Sequence, residues 1–340
     1  MTYRRRVQVT GGGTFLVTLP KDWADAAGIA QGSVVDLVPN RSGALLLLPP
    51  AARGRNTCEI PLEGRDAVAL QRDVIARYVA GYDVIRVTGH RVRLEGRRMV
   101  REIAQGLIGL EILEESQTAV ALHSVVSMKD FPVGQTLHRV FEIALGMFDD
   151  ALTSWCTQDD ELAHDVAERD SDVDRLVLLV ARQLGLLLRD LLVEEEIGLS
   201  RLHCHYHLEV ADQLERVADH AVKVSRAALA IVESPIADVA REVAAAAGES
   251  RAVLSSAVRA FEVRDVELAN ATLASKTEHL KIAQWAPTAI RKQPKNAFPI
   301  SIVSDSVVRT REHGFNIAET AIDAAVALRG DGDREDHSPD

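Results

Sequence analysis

The sequence predicts a multidomain chain: a small β-rich module, a small α/β region, then all-α tandem three-helix bundles. Three observations carry this. Hydrophobic residues fill 47% of the 340 positions and aromatics only 4%, a profile of helices packed through Ala, Leu and Val. Charge is split: residues 1–55 hold seven Arg or Lys against three Asp, a net of +4, and the chain as a whole is −11, so the remainder is −15. Two helical stretches also align without a gap, DQLERVADHAVKVSRAAL (212–229) over DSVVRTREHGFNIAETAI (305–322). A basic module on an acidic body places any nucleic-acid role at the N-terminus.

Within 1–50, RRVQV (5–9) reads as a strand and GGG (11–13) as a turn. TFLVTLP (14–20) is a second strand, ended by Pro20. Lys21, Asp22 and Trp23 open a short helix that Gly28 ends. SVVDLVP (33–39) and GALLLLP (43–49) form a last hairpin around 40–43. Such a half-fold buries too little surface alone, so pairing with a second copy is expected.

Residues 51–134 alternate. CEIPL (58–62) and DVIRVTG (83–89) are strands, 65–82 and 94–109 helices, and ILEESQTAVALHSVV (112–126) holds strand material. Arg91, Arg93, Arg97, Arg98 and Arg101 read as a solvated helix face before they read as a nucleic-acid surface. From 135 the chain is helical. The first bundle (135–234) has helices over 136–157, 159–195 and 199–232, and Pro235 breaks it. The second (235–328) has helices over 236–262 and 264–285 and, after Pro287 and Pro294, one over 299–328. The polar, acidic tail 329–340 lacks core residues and is expected to be disordered.

In the internal alignment Arg216 meets Arg309, Asp219 meets Glu312 and His220 meets His313, so a duplicated bundle is expected. Asp212, Glu215 and Asp219 form a stripe opposite the apolar face of their helix. The plain reading is a solvated face with an Asp219–Lys223 pair. Asp170 and Asp174, one turn apart on the preceding helix, offer a second acid pair. Two such pairs on antiparallel neighbours converge, and four carboxylates repel unless protonated or neutralised by a cation. Oxygen donors suit iron, manganese, magnesium or calcium, with zinc possible.

HCHYH (203–207) spaces His203 and His207 as helical zinc sites do and sets Cys204 beside them, but no third ligand is evident. Polar residues near a helix start is the favoured reading. Arg4, Arg5, Arg6 and Lys21 suit phosphate contacts. GGG lacks the Lys and Ser/Thr of a phosphate loop. No enzyme is expected: GxSxG and HExxH are missing, and HRVFE (138–142) reverses the Glu-x-x-His order of di-iron bundles. Cys58, Cys156 and Cys204, odd in number and scattered, predict reduced thiols in the cytoplasm. No signal peptide is read at the basic N-terminus. Arg182 and Arg189 interrupt the most apolar helix, which is too charged to span a bilayer.

LERVADHAVKVSR (214–226) resembles the signature helix of the PhoU family, FNIAE (315–319) its second-copy ending, and RDVELA (264–269) the start of its second middle helix. The first fifty residues resemble the AbrB/SpoVT swapped-hairpin DNA-binding domain through GGTFLVTLPKDWADAAGIAQGSVVDLV and GALLLLP. Together they look like the archaeal PhoU-type regulators. The resemblance implies an interleaved homodimer that binds DNA through Arg4, Arg5, Arg6 and Lys21. It also implies a metal (Fe, Zn, Mn or Mg) at Asp170, Asp174, Glu215 and Asp219. The second site is degenerate: Val308 replaces the first acid beside Glu312, and Ala274 and Glu278 stand on the middle helix. The implied function is transcriptional regulation of phosphate uptake. The alternatives are an adaptor docking on a phosphate transporter ATPase or sensor kinase, with the hairpins used only to dimerise, and a metal-sensing protein.

Overall fold

The N-terminal hairpin turns where the sequence places its glycines. In the computed structural model, β1 (Gln8–Val9) and β2 (Phe15–Leu16) are antiparallel, and the turn closes by Thr10 and Thr14 backbone bonds around Gly13, whose φ of 81° an L side chain rarely adopts. Helix α1 (Lys21–Ala26) follows Pro20 and ends before Gly28 at φ 68°. Strands β3 (Asp36–Pro39) and β4 (Leu45–Leu48) pair as the last hairpin. The description covers residues 2–39, 43–49, 55–189, 194, 199–277 and 281–332, so the tip of that hairpin at 40–42 lies outside it. The chain divides into two compact units, 1–56 and 57–340.

The first unit by itself buries none of its described residues. Phe15 is 73% exposed and Leu37 56%, so the apolar faces of both hairpins are laid open. A chain segment with no interior cannot offset the entropy of ordering it.

In the second unit, β5 (Thr57–Pro61), β6 (Val84–Thr88), β7 (Leu110–Glu115) and β8 (Ala119–Ser124) form one sheet in the order β5-β6-β8-β7. β5 and β6 are parallel and the other pairs antiparallel. Helix α2 (Ala67–Val79), capped by Asp66 on the Ala69 amide, and α3 (Leu94–Gln105) supply Leu70, Val74, Tyr78 and Val100 to its core. The arginine run is held by acids: Arg97 meets Glu115 at 2.8 Å, Arg98 meets Glu102 at 2.8 Å and Arg101 meets Glu115 at 3.4 Å.

The first bundle is α4 (Val133–Thr157), α5 (Asp160–Arg189) and α6 (Arg201–Leu229). The last residues of the second helix expected from sequence, 190–193 and 195, lie outside the described residues. The second bundle differs from expectation. It has α7 (Ala237–Val263), but in place of one helix over 264–285 stand α8 (Val266–Ala274), a 3₁₀ turn (Ser275–Thr277) and α9 (Lys281–Lys292). α9 runs through Pro287, where a break was expected. Proline removes one helical hydrogen bond, and the buried Ala286 and Ala289 hold the helix to the core on either side. α10 (Ala297–Gly332) closes the bundle, and the tail from 333 lies outside the described residues.

The duplication extends to the corners. α4 ends at Gln158 and α7 at Arg264, both non-glycine residues in the left-handed region with φ 58° and 57°. In each case the next residue caps the following helix: Asp159 accepts from the Leu162 amide at 3.0 Å and Asp265 from the Leu268 amide at 2.8 Å. One core, with Trp155 from the first bundle wholly buried, runs through both bundles.

Helix α5 belongs to two layers. Its first half packs in the bundle, while Leu178 joins the α/β core. Arg182, 1% exposed, donates to the Tyr78 carbonyl at 2.6 Å and the Tyr82 carbonyl at 3.0 Å, and its guanidinium lies 4.8 Å from the Tyr78 ring centre. It thus adds to the Gly81 amide on the Tyr78 carbonyl at the end of α2. Arg189 lies over the Tyr82 ring at 4.3 Å.

Candidate functional site

Periodicity alone puts Asp170 and Asp174 on one face of α5, and Glu215 and Asp219 on one face of α6. The structure brings these faces together. Asp170 feels Asp219, and Asp174 is the nearest acid acting on Glu215. Numbers rise on one helix as they fall on the other, so the helices are antiparallel. The two acid pairs therefore lie on facing sides of α5 and α6, with Asp212 adding its charge to Glu215.

Burial, then the neighbouring acids, sets the protonation. Desolvation pushes Asp174 up to about 6, helped by Asp170 and Asp219. Desolvation pushes Glu215 up to about 7, helped by Asp174, Asp212 and Asp219 and opposed by Arg216. Asp170 is raised by burial and Asp219, against Arg226. Glu215 is half-buried, whereas Asp174 and Asp219 keep an exposed side. The shift at Asp174 therefore carries little stability, since solvent screens its neighbours.

The donor set is all oxygen, the chemistry that suits a hard cation, and burial first, then neighbouring acids, raises Asp170, Asp174 and Glu215. Among the described residues none of the four makes an ion pair, and Lys223 does not pair with Asp219. Nor, among those residues, are three His, Cys, Asp or Glu side chains gathered in a metal-ligating arrangement. The carboxylates repel one another without closing on a point. In the second bundle Glu312 is held by Arg309 at 2.7 Å and Val308 packs on the core, while Glu278 lies outside the described residues.

A consequence is testable. Glu215 ionises near 4.5 when unfolded and near about 7 in the fold, so the fold favours its protonated form. The stability this gives is present below the unfolded value and is lost as pH rises through the folded one. Glu215→Gln removes the loss. Its gain over the parent chain should be slight at about pH 5 and grow to about 1 kcal/mol at about pH 8, measured by urea denaturation. An equal gain at both pH values would show that Glu215 is not the titrating group.

HCHYH does not converge. His203 is buried with its Nδ1 2.9 Å from Ser200 Oγ, His205 turns outward to Glu209 at 3.3 Å, and Cys204 is buried. His207 lies edge-on to Phe261, ring centres 4.9 Å apart. The aligned pair His220 and His313 has a role that sequence did not assign. The rings stand 5.8 Å apart; His220 Nδ1 meets Ser306 Oγ at 3.2 Å and His313 Nδ1 meets Gln213 Oε1 at 2.9 Å. Each histidine thus meets the residue seven places before the other, as a two-fold relation between α6 and α10 requires. In the first unit Arg4, Arg5, Arg6 and Lys21 are all exposed.

Comparison with known proteins agrees with both resemblances. Residues 137–228 match the PhoU domain family model, and residues 8–54 match the model for antidote-toxin recognition MazE, bacterial antitoxin. The two matches fall on the first helical bundle and on the N-terminal hairpins. PhoU from Pseudomonas aeruginosa is similar in structure at 22% identity and a TM-score of 0.48, covering 59% of this chain and 98% of its own. The phosphate transport system regulatory protein PhoU from Streptococcus pneumoniae is similar at 17% identity and a TM-score of 0.48, covering 57% and 94%. No curated protein matches the sequence. Among the described residues no helix is long and apolar enough to cross a membrane.

Proposed function

We propose that the protein is a dimeric DNA-binding regulator of phosphate homeostasis, with the helical body as its sensor. The observation that carries this is the joining, in one chain, of a basic hairpin module of the MazE/AbrB kind to a PhoU-type domain. Dimerisation is supported by the first unit, whose described residues are all left unburied in a single copy. A second copy covers those apolar faces and doubles the set Arg4, Arg5, Arg6 and Lys21 on the DNA side. The test is a salt-dependent shift of phosphate-uptake promoter DNA by the intact dimer. No shift at any such promoter would favour an adaptor that docks on a transporter ATPase or sensor kinase.

On this reading Asp170, Asp174, Glu215 and Asp219 would hold the metal. A bound cation supplies positive charge that lets the four acids ionise together. Glu215 and Asp219 would hold it from α6, and Asp170 and Asp174 from α5. Elemental analysis of the purified protein should find iron, manganese, magnesium or zinc, and the double variant Glu215→Ala, Asp219→Ala should lose it. Unchanged metal content in that variant would place the ion elsewhere.

A further inference from the structure

A cavity of about 390 Å³ lies where α4, α6 and the end of α7 meet, away from the acid groove. Its floor is apolar, made by the buried Leu137 and Phe261, and its rim carries His138, His207, Glu262 and Arg264. Volumes of this order accommodate small molecules. Among the described residues, two of the rim groups keep unused bonding capacity.

The first is His207. Its Nδ1 lies 2.8 Å from the His203 carbonyl, which only accepts, so Nδ1 carries the proton and Nε2 presents a lone pair. Burial lowers the pKa of this imidazole from its ordinary value, with Arg264 adding to the effect, so the acceptor persists at neutral pH. Nε2 faces the first turn of α4 at Gly134, where a Cβ would come to 4.0 Å.

The second is Arg264. The left-handed backbone that ends α7 sets its side chain at the cavity lip. Among the described residues its guanidinium makes no hydrogen bond or ion pair. The Glu262 carboxylate is a third rim group, and it meets His138 Nδ1 at 2.7 Å. The cavity thus offers one free cation, one carboxylate and one neutral acceptor around an apolar floor.

We propose that this cavity binds an α-amino acid with an apolar side chain. Its carboxylate meets Arg264, its ammonium donates to Glu262 and to His207 Nε2, and its side chain lies on Leu137 and Phe261. A ligand with an anion but no cation leaves His207 Nε2 without a donor, and one with a cation alone leaves Arg264 to solvent. A ligand carrying both charges makes contacts at both ends of the site that neither blocked form makes, so the site discriminates by charge at both ends.

The experiment is calorimetric titration of the full chain with leucine, methionine and phenylalanine at millimolar concentration. Leucinamide and N-acetyl-leucine, each missing one charge, and adenosine monophosphate serve as controls. At least one amino acid should bind, and its two blocked forms should bind at least about tenfold more weakly. Arg264→Gly is the matching variant, because glycine adopts a φ of 57° without strain and the fold is kept. It should weaken the amino acid about tenfold or more and leave leucinamide unchanged. Three results would overturn the proposal: no amino acid binding to folded protein, equal binding of leucine and leucinamide, or binding of adenosine monophosphate instead.

Discussion

Gly185→Ala should unseat the α/β layer from helix α5. A Cβ at Gly185 would fall 1.9 Å from the Val79 carbonyl oxygen and 3.1 Å from its carbon, atoms of backbone that cannot rotate away. Relief requires α5 to draw back from α2. Opposite it, Gly81 turns beneath Leu186 at φ 80°, with its own Cβ position 3.0 Å from the Leu186 side chain. Arg182, one turn earlier on α5, would then lose its bonds to the Tyr78 and Tyr82 carbonyls. Overpacking costs about 1–3 kcal/mol and broken charged hydrogen bonds add to it, so about 3 kcal/mol or more is expected. In a unit of this size that lowers Tm by roughly 6 °C or more. Limited proteolysis should cut first in 57–126. A Tm within about one degree of the parent chain would mean that the two helices part without cost.

Arg4→Ala, Arg5→Ala and Arg6→Ala together should weaken DNA binding at least about a hundredfold in moderate salt. A dimer loses six charges in this variant. If each met a phosphate, the slope of log K against log salt would fall by about 5. The arm is exposed throughout, so the dimer itself should be intact by sedimentation. Weaker binding with an unchanged slope would show that the arginines act through the hairpin's fold and not through phosphates.

Local chemistry made much of this molecule legible. Gly13 and Gly28 marked turns because their backbone angles exclude other residues, and the structure uses both so. That the two acid pairs lie on facing helices was legible because helical period fixes which side chains share a face, and antiparallel pairing fixes which faces meet. The corners at Gln158 and Arg264 were not. They align at an offset of 106, whereas the third helices align at 93, so no gapless comparison finds both. Pro287 misled because a proline's cost is local and its neighbours' burial is not. The seat of α5 on α2 was invisible for a related reason. Arg182 read as a charge interrupting an apolar run, and only the fold supplies the carbonyls that it serves.

That seat also sets an order of events at the ribosome. The Tyr78 carbonyl and the Arg182 that satisfies it are 104 residues apart in sequence. At about 5–20 residues per second, α2 and its sheet wait roughly 5–20 s before their partner helix is synthesised. Through that interval the nascent α/β layer keeps the end of α2 and the underside of Gly81 uncovered. Maturation of this layer is therefore expected to be late, although its residues emerge early, and a chain stalled before 182 should remain open to chaperones.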